Sequence, residues 1–210
     1  MEGKEFVFNQ EKKELLLNCK DSNIGTFTLK DKEFYAKVVN VYDADTCKAV
    51  FFLNDELVKY TIRLKGLDSP EIRPPSSDIY REYQILEAKK SRNRLIQLCT
   101  DCKLELESKL TKTKIQKLIN ENKKIIKLKC YEFDKYGRLL ADLYYTELVE
   151  SSESNESNES NESNEVCINK KLIKEGYAYE YNGGTKKKFD YSKYLKENKE
   201  ERQSETQTDN

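Results

Sequence analysis

Hydrophobic and polar positions change their period several times along these 210 residues. Residues 34–41 (FYAKVVNV) and 48–53 (KAVFFL) are rich in β-branched and aromatic side chains, and the polar break at 43–46 between them predicts a hairpin. Asn54 and Asp55 make the next turn, and the alternation over 57–67 (LVKYTIRLKGL) predicts a third strand that ends where DSPE begins. The only prolines, Pro70, Pro74 and Pro75, follow within six residues of each other and prescribe an irregular loop directly after that strand.

From Tyr80 the period becomes helical: Ala88, Ser91, Leu95 and Leu98 share one face, while Lys89, Arg92 and Arg94 fall elsewhere and read as a solvated side. Ile115, Leu118 and Ile119 predict a further short helix inside the Lys-rich stretch 101–122, which has the character of an insert. Residues 125–133 and 139–145 form a second predicted hairpin around the turn DKYGR. Val166, Ile168, Leu172 and Ile173 then recur at helical spacing, with Gly176 placed to end the helix in a left-handed conformation. Three strands, a helix, two strands and a helix are the element order of a five-stranded Greek-key barrel with packed helices, an α+β but mainly β architecture known as the OB-fold.

Composition locates what lies outside that barrel. Residues 150–165 (ESSESNESNESNESNE) contain six Glu and nothing apolar, which predicts a disordered loop. Residues 1–30 read as an N-terminal extension, with a short amphipathic piece at 14–19 and a strand near Phe27. The domain is expected over 31–190, followed by a disordered tail over 191–210. The formal net charge is zero, yet the repeat carries six acidic residues and the stretch 195–210 five acidic against three basic. The remainder is therefore distinctly basic and suited to polyanions.

The first twenty residues hold no apolar run and no small-residue cleavage site, and no stretch is long enough to span a bilayer, so a soluble intracellular protein without membrane contact is expected. Six cysteines without an export signal read as free thiols. Cys99 and Cys102 form a CxxC, but a structural zinc site needs four ligands and the chain has neither histidine nor a second close pair.

Three clusters carry candidate chemistry: DADT at 43–46, RLKGLDSPE at 63–71 and DKYGR at 134–138. Asp45 and Asp68 stand at predicted strand ends, where a closed barrel would join them as hard oxygen ligands for Ca2+. Each aspartate taken alone is more often a turn former than a ligand. Arg63 and Arg138 would give two planar donor forks for the equatorial oxygens of a phosphate, provided Arg63 faces the barrel mouth.

In combination these motifs, with KKLIKEGYA at 170–178, resemble the staphylococcal nuclease family in order and context. The resemblance runs over 34–189, interrupted by inserts near 101–122 and 150–165. It implies that Asp45 and Asp68 bind calcium, helped by the backbone carbonyl of Ser69, which stands where a threonine is usual. It implies further that Asp43 supports the metal shell, that Glu71 acts as general base or positions water, and that Arg63 and Arg138 bind and stabilise the phosphate. Lys135 and Tyr136 match residues near the nucleotide's terminal phosphate. Ala44 replaces the glycine usual between the two aspartates.

Tyr179 and Tyr181 suit either stacking on unpaired bases or packing. The function expected is calcium-dependent hydrolysis of phosphodiester bonds in DNA or RNA, most readily in single strands, by a monomer that leaves 3′-phosphate ends. The alternative is a non-catalytic binding module on the same barrel.

Overall fold

The computed structural model describes residues 9–147, 164–184 and 192. Strands β1 (Glu33–Val41), β2 (Thr46–Leu53) and β3 (Glu56–Leu64) form an antiparallel meander. β5 (Ile126–Phe133) pairs antiparallel with the start of β1, and β6 (Leu139–Glu147) pairs antiparallel with β5. Parallel pairing of Ile62, Arg63 and Leu64 with Leu139, Leu140 and Ala141 closes these five strands into the expected OB-type barrel. The short β4 (Leu67–Asp68) pairs with β8 (Tyr179–Glu180) outside it.

Closure explains the core. Cys47, Ala49 and Phe51 of β2, Ile62 and Leu64 of β3, Ile126, Leu128 and Cys130 of β5, and Leu139, Ala141 and Leu143 of β6 all point inward at the strand period of two. β1 breaks that period: Ala36, Val38 and Val41 are buried, because the register shifts between Val38 and Asn40. One extra residue at a bulge moves the inward phase by one. The same bulge leaves Val39 with a carbonyl that accepts from Gln116 Nε2 at 2.7 Å.

Gln116 belongs to α3 (Lys112–Glu121), which packs on β1 and buries Ile115 and Ile119. The predicted insert is thus docked on the barrel by its apolar face. α2 (Arg81–Cys99) buries Ala88, Ser91, Leu95 and Leu98 as expected. It also buries Arg92, which the sequence pattern assigned to a solvated side, and Arg94 is bound by Glu175 at 2.6 Å. α4 (Ile168–Lys174) ends in a Schellman closure, with the N–H groups of Gly176 and Tyr177 donating to the carbonyls of Ile173 and Leu172 and Gly176 at φ +80°.

Val166 is not helical. It lies in β7 (Asn164–Cys167), where it pairs with Tyr145, because β6 runs past the barrel and offers a free edge. The last two residues of the acidic repeat, Asn164 and Glu165, belong to this strand, and the repeat over 150–163 and the stretch 193–210 lie outside the described residues. At the N-terminal end α1 (Gln10–Leu17) buries no residue, and the chain near Phe27 is irregular, not a strand. Leu29, read as part of an extension, is 2% exposed and belongs to the core, while the main chain of Asp31 and Lys32 is hydrogen-bonded to Cys130. All six cysteines are free thiols. Among the described residues no helix is long and apolar enough to cross a membrane.

Candidate active site

Closure of the barrel brings the first two sequence clusters together. Thr46 pairs with Arg63 across β2 and β3, so the turn that carries Asp45 sits beside the end of β3. β4 then delivers Asp68 and Ser69. Asp45, Arg63, Asp68 and Ser69 are all buried, at 6%, 8%, 3% and 5% exposure. Strand alternation sends Ile62 and Leu64 into the core and Arg63 to the opposite face, where the two aspartates cover it.

Arg63 lies between these carboxylates. Its Nη1 is 3.1 Å from Asp45 Oδ1 and its Nη2 donates to Asp68 Oδ1 at 3.1 Å. Asp45 is held further by hydroxyl donors, Thr46 Oγ1 at 2.7 Å to Oδ1 and Ser69 Oγ at 3.1 Å to Oδ2. The Asp45 carbonyl accepts from the Leu64 N–H at 2.8 Å, which fixes the turn to the barrel. Ser69 therefore enters the cluster through its hydroxyl.

Ala44 is buried, and the positive-φ residues other than glycine among those described are Asp31, Asn54 and Asp55. The turn thus needs no glycine at position 44.

The electrostatics are strongly graded. Burial, and then the negative charge of Asp45 and a hydrogen bond shared with it, push Asp43 up to about 8. Asp43 consequently keeps its proton at neutral pH. Burial acts to raise Asp45 too, but the Arg63 guanidinium and the hydrogen bonds from its neighbours hold it below the usual carboxylate range.

The third cluster faces a cavity of about 460 Å³ beside Arg63, lined also by Lys65, Lys135, Tyr136, Arg138 and Tyr181. Gly137, at φ +76°, makes the hairpin turn, and Asp134 organises it: its Oδ1 accepts the N–H groups of Tyr136 and Arg138, each at 2.9 Å. Its Oδ2 accepts Arg138 Nε at 2.6 Å. Burial opposes this arrangement, but these bonds hold Asp134 below its ordinary pKa. Neither η nitrogen of Arg138 is hydrogen-bonded to a described residue, so both remain available to the cavity. Tyr136 is 71% exposed, with the ammonium of Lys135 5.1 Å from its ring centre.

Asp43, Asp45, Asp68, Ser69, Glu71 and Tyr179 do not line that cavity. Glu71 is exposed on the loop after β4 and is not among the residues lining the cavity. Tyr179 pairs with Asp68 in the β4 and β8 ladder, whereas Tyr181 reaches the cavity, its hydroxyl donating to the Gly184 carbonyl at 2.9 Å. Sequence reasoning missed Asn169, which is 3% exposed. Its Nδ2 donates to the Lys65 and Ala141 carbonyls and to Asp142 Oδ1, and its Oδ1 accepts the Leu143 N–H. Nothing in the local pattern marks an asparagine at the start of a helix as the bolt between α4 and the barrel.

The fold and the cluster together define an OB-type barrel that holds two buried carboxylates on one guanidinium. The model of the staphylococcal nuclease homologue family matches residues 61–207, and the chain belongs to that family. The match begins within β3, so Asp43 and Asp45 precede it and enter the site through the fold. No curated protein matches the chain.

Calcium is the cation typical of this family. Asp45 and Asp68, both paired with one guanidinium, offer hard carboxylate oxygens and Ser69 a carbonyl, a donor chemistry that fits a hard divalent ion. They do not make a complete shell. Among the described residues no group of three or more His, Cys, Asp or Glu side chains is arranged to hold a metal by itself, so water and phosphate oxygens would have to complete it.

Proposed function

We propose that the chain is a calcium-dependent phosphodiesterase that hydrolyses DNA or RNA, preferentially where strands are unpaired, and leaves 3′-phosphate ends. The observation that carries this reading is the pair of guanidinium groups on one cavity, Arg63 anchored by Asp45 and Asp68 and Arg138 anchored by Asp134 through Nε alone. Held forks of this kind suit the charge that develops on the equatorial oxygens of a phosphate under attack.

Asp45, Asp68 and the Ser69 carbonyl would hold calcium, with Asp43 supporting them; the ion supplies charge neutralisation and a more acidic bound water. Glu71 takes the proton of the attacking water, since the chain has no histidine for that task. The water oxygen bonds to phosphorus as the bond to the 5′ oxygen breaks. Lys135 and Tyr136 hold the neighbouring terminal phosphate, and Tyr181 offers a ring to an unpaired base. Tyr179, whose main chain pairs with Asp68, offers a second ring.

One observation favours a second reading, a binding module without catalysis: Arg63 already neutralises both carboxylates. Digestion of single-stranded DNA and of RNA separates the two. Cleavage in calcium that stops on chelation, and that falls by about 100-fold or more in Glu71→Gln and in Arg138→Ala, is expected of the enzyme. Binding without any metal-dependent cleavage would leave only the module.

A further inference from the structure

A second cavity does not lie over the carboxylates. It is a groove of about 690 Å³ between the outer half of β1, the loop leaving Glu71, and α3. Its floor is apolar, with Val41, Ile115 and Ile119 buried. Its walls are basic: Arg73, Lys112 and Lys117 are exposed along it and Glu121 is the single acid.

At its back stands Arg92, only 8% exposed. Arg92 donates through Nε and Nη2 to the same acceptor, Asn93 Oδ1, at 3.2 and 2.9 Å, and no described carboxylate lies within ion-pair distance. Its Nη1 is hydrogen-bonded to no described residue. Burial lowers its pKa, as it does for a cation without a counter-charge, yet an arginine stays protonated. A buried cation that the protein itself leaves without an anion is unfavourable unless a ligand supplies one. At the mouth Tyr42 is half exposed, available to a base.

We propose that this groove is a second nucleotide subsite, which takes a backbone phosphate of a single-stranded polynucleotide on Arg92 and Arg73 and carries the strand away from the carboxylates. The inference rests on reading the neighbouring cluster as the place where a phosphodiester is held. Continuity supports a strand over an acidic peptide: Tyr42 is joined directly to Asp43, and Ile72 and Arg73 follow directly on Glu71. Arginine forks with one aromatic at the rim match phosphate and base together. The groove exists because α3 is docked on the open edge of β1, so the insert would lengthen the recognised substrate.

The test is fluorescence anisotropy of the full chain with labelled oligothymidylates of about 4 and about 12 nucleotides, spanning OB-fold site sizes, in chelator so that nothing is cut. The long probe is expected to bind about tenfold tighter or more. Arg73→Glu/Lys112→Glu/Lys117→Glu, all surface changes, should bring the two affinities together and lower the salt slope for the long probe by about 2, at about 0.7 per phosphate contact. Arg92→Gln, checked for an unchanged melting transition, should do the same in part. An unchanged affinity ratio in the surface variant would overturn the proposal, as would displacement of the long probe by poly-aspartate as readily as by unlabelled oligonucleotide. Since binding is read without cleavage, a chain that binds in this way and never cuts loses the enzyme reading but keeps the groove. A chain that cuts, with an unchanged ratio in the variant, does the reverse.

Discussion

Replacing Arg63 by glutamine removes the one cation that lies between Asp45 and Asp68, whose side chains are 8% and 4% exposed. Breaking a buried ion pair from one side costs about 3–5 kcal/mol, because the remaining charge stays desolvated. Spread over a domain of this size, that lowers the melting temperature by about 6–20 °C. The pH dependence should also change sign. In the native chain Asp45 titrates below its ordinary 3.8, so its contribution is complete above that pH and is lost as pH falls through the depressed folded value.

Without Arg63, burial dominates and the folded pKa of Asp45 lies above the unfolded one. Its penalty then grows as pH rises, so the gap between variant and native chain should be widest near pH 8 and shrink towards pH 5. Thermal melts in chelator across that range measure this directly. Calcium at millimolar levels should raise the variant's midpoint more than the native one, since the cation no longer competes with the guanidinium. A variant as stable as the native chain at pH 8, or a gap that widens on acidification, would refute the assignment of Arg63 as the counterion of a buried acidic pair.

Asp134→Asn should leave the fold standing, at a cost of about 1–2 kcal/mol, yet lower cleavage by about tenfold or more, because Arg138 loses the acceptor that aims it; melts and initial rates on single-stranded DNA separate the two effects. Asn169→Leu should destabilise by about 2–4 kcal/mol, since the Leu143 N–H and the Lys65 and Ala141 carbonyls lose a buried partner, measured by urea denaturation. Glu175 is held below its ordinary 4.5, first by hydrogen bonds from Arg94, so its contribution is present above that pH and lost as pH falls through the depressed value. Glu175→Gln is therefore expected to cost up to about 1 kcal/mol at pH 7 and progressively less as pH falls below 4.5, in melts across that range.

Most strands were legible because each is a short β-branched or aromatic run between turn residues, and local chemistry suffices for that. The bulge in β1 was not, since FYAKVVNV reads as one unbroken strand and only the partner's register reveals the extra residue at Val39. Val166 illustrates tertiary override: its i,i+7 spacing to Ile173 fits a helix, but the free edge of β6 captures it first. Arg92 misled for a related reason. Its charge argues for solvent, yet Ala88 and Ile96 stand one helical turn to either side of it and both are buried, and the neighbouring Asn93 is tied to the Leu106 carbonyl at 2.9 Å.

The site divides along the same physical line. That Asp45, Arg63 and Asp68 would meet was legible, because oxygen donors and arginines collect at strand ends and turns, where motifs are contiguous. How they act on one another was not, because Asp45 and Arg63 are 18 residues apart and meet only through the pairing of β2 with β3. Burial and the nearby charge of Asp45 push Asp43 up to about 8 while Arg63 pulls it down, and the burial is what a string of residues does not contain. Glu71 marks the limit from the other side. Its spacing from Asp68 is what the family implies, yet it lies exposed on a proline-rich loop and outside the cavity, so its role must be decided by kinetics, where Glu71→Gln separates a proton-transfer group from a residue that merely adjoins the site.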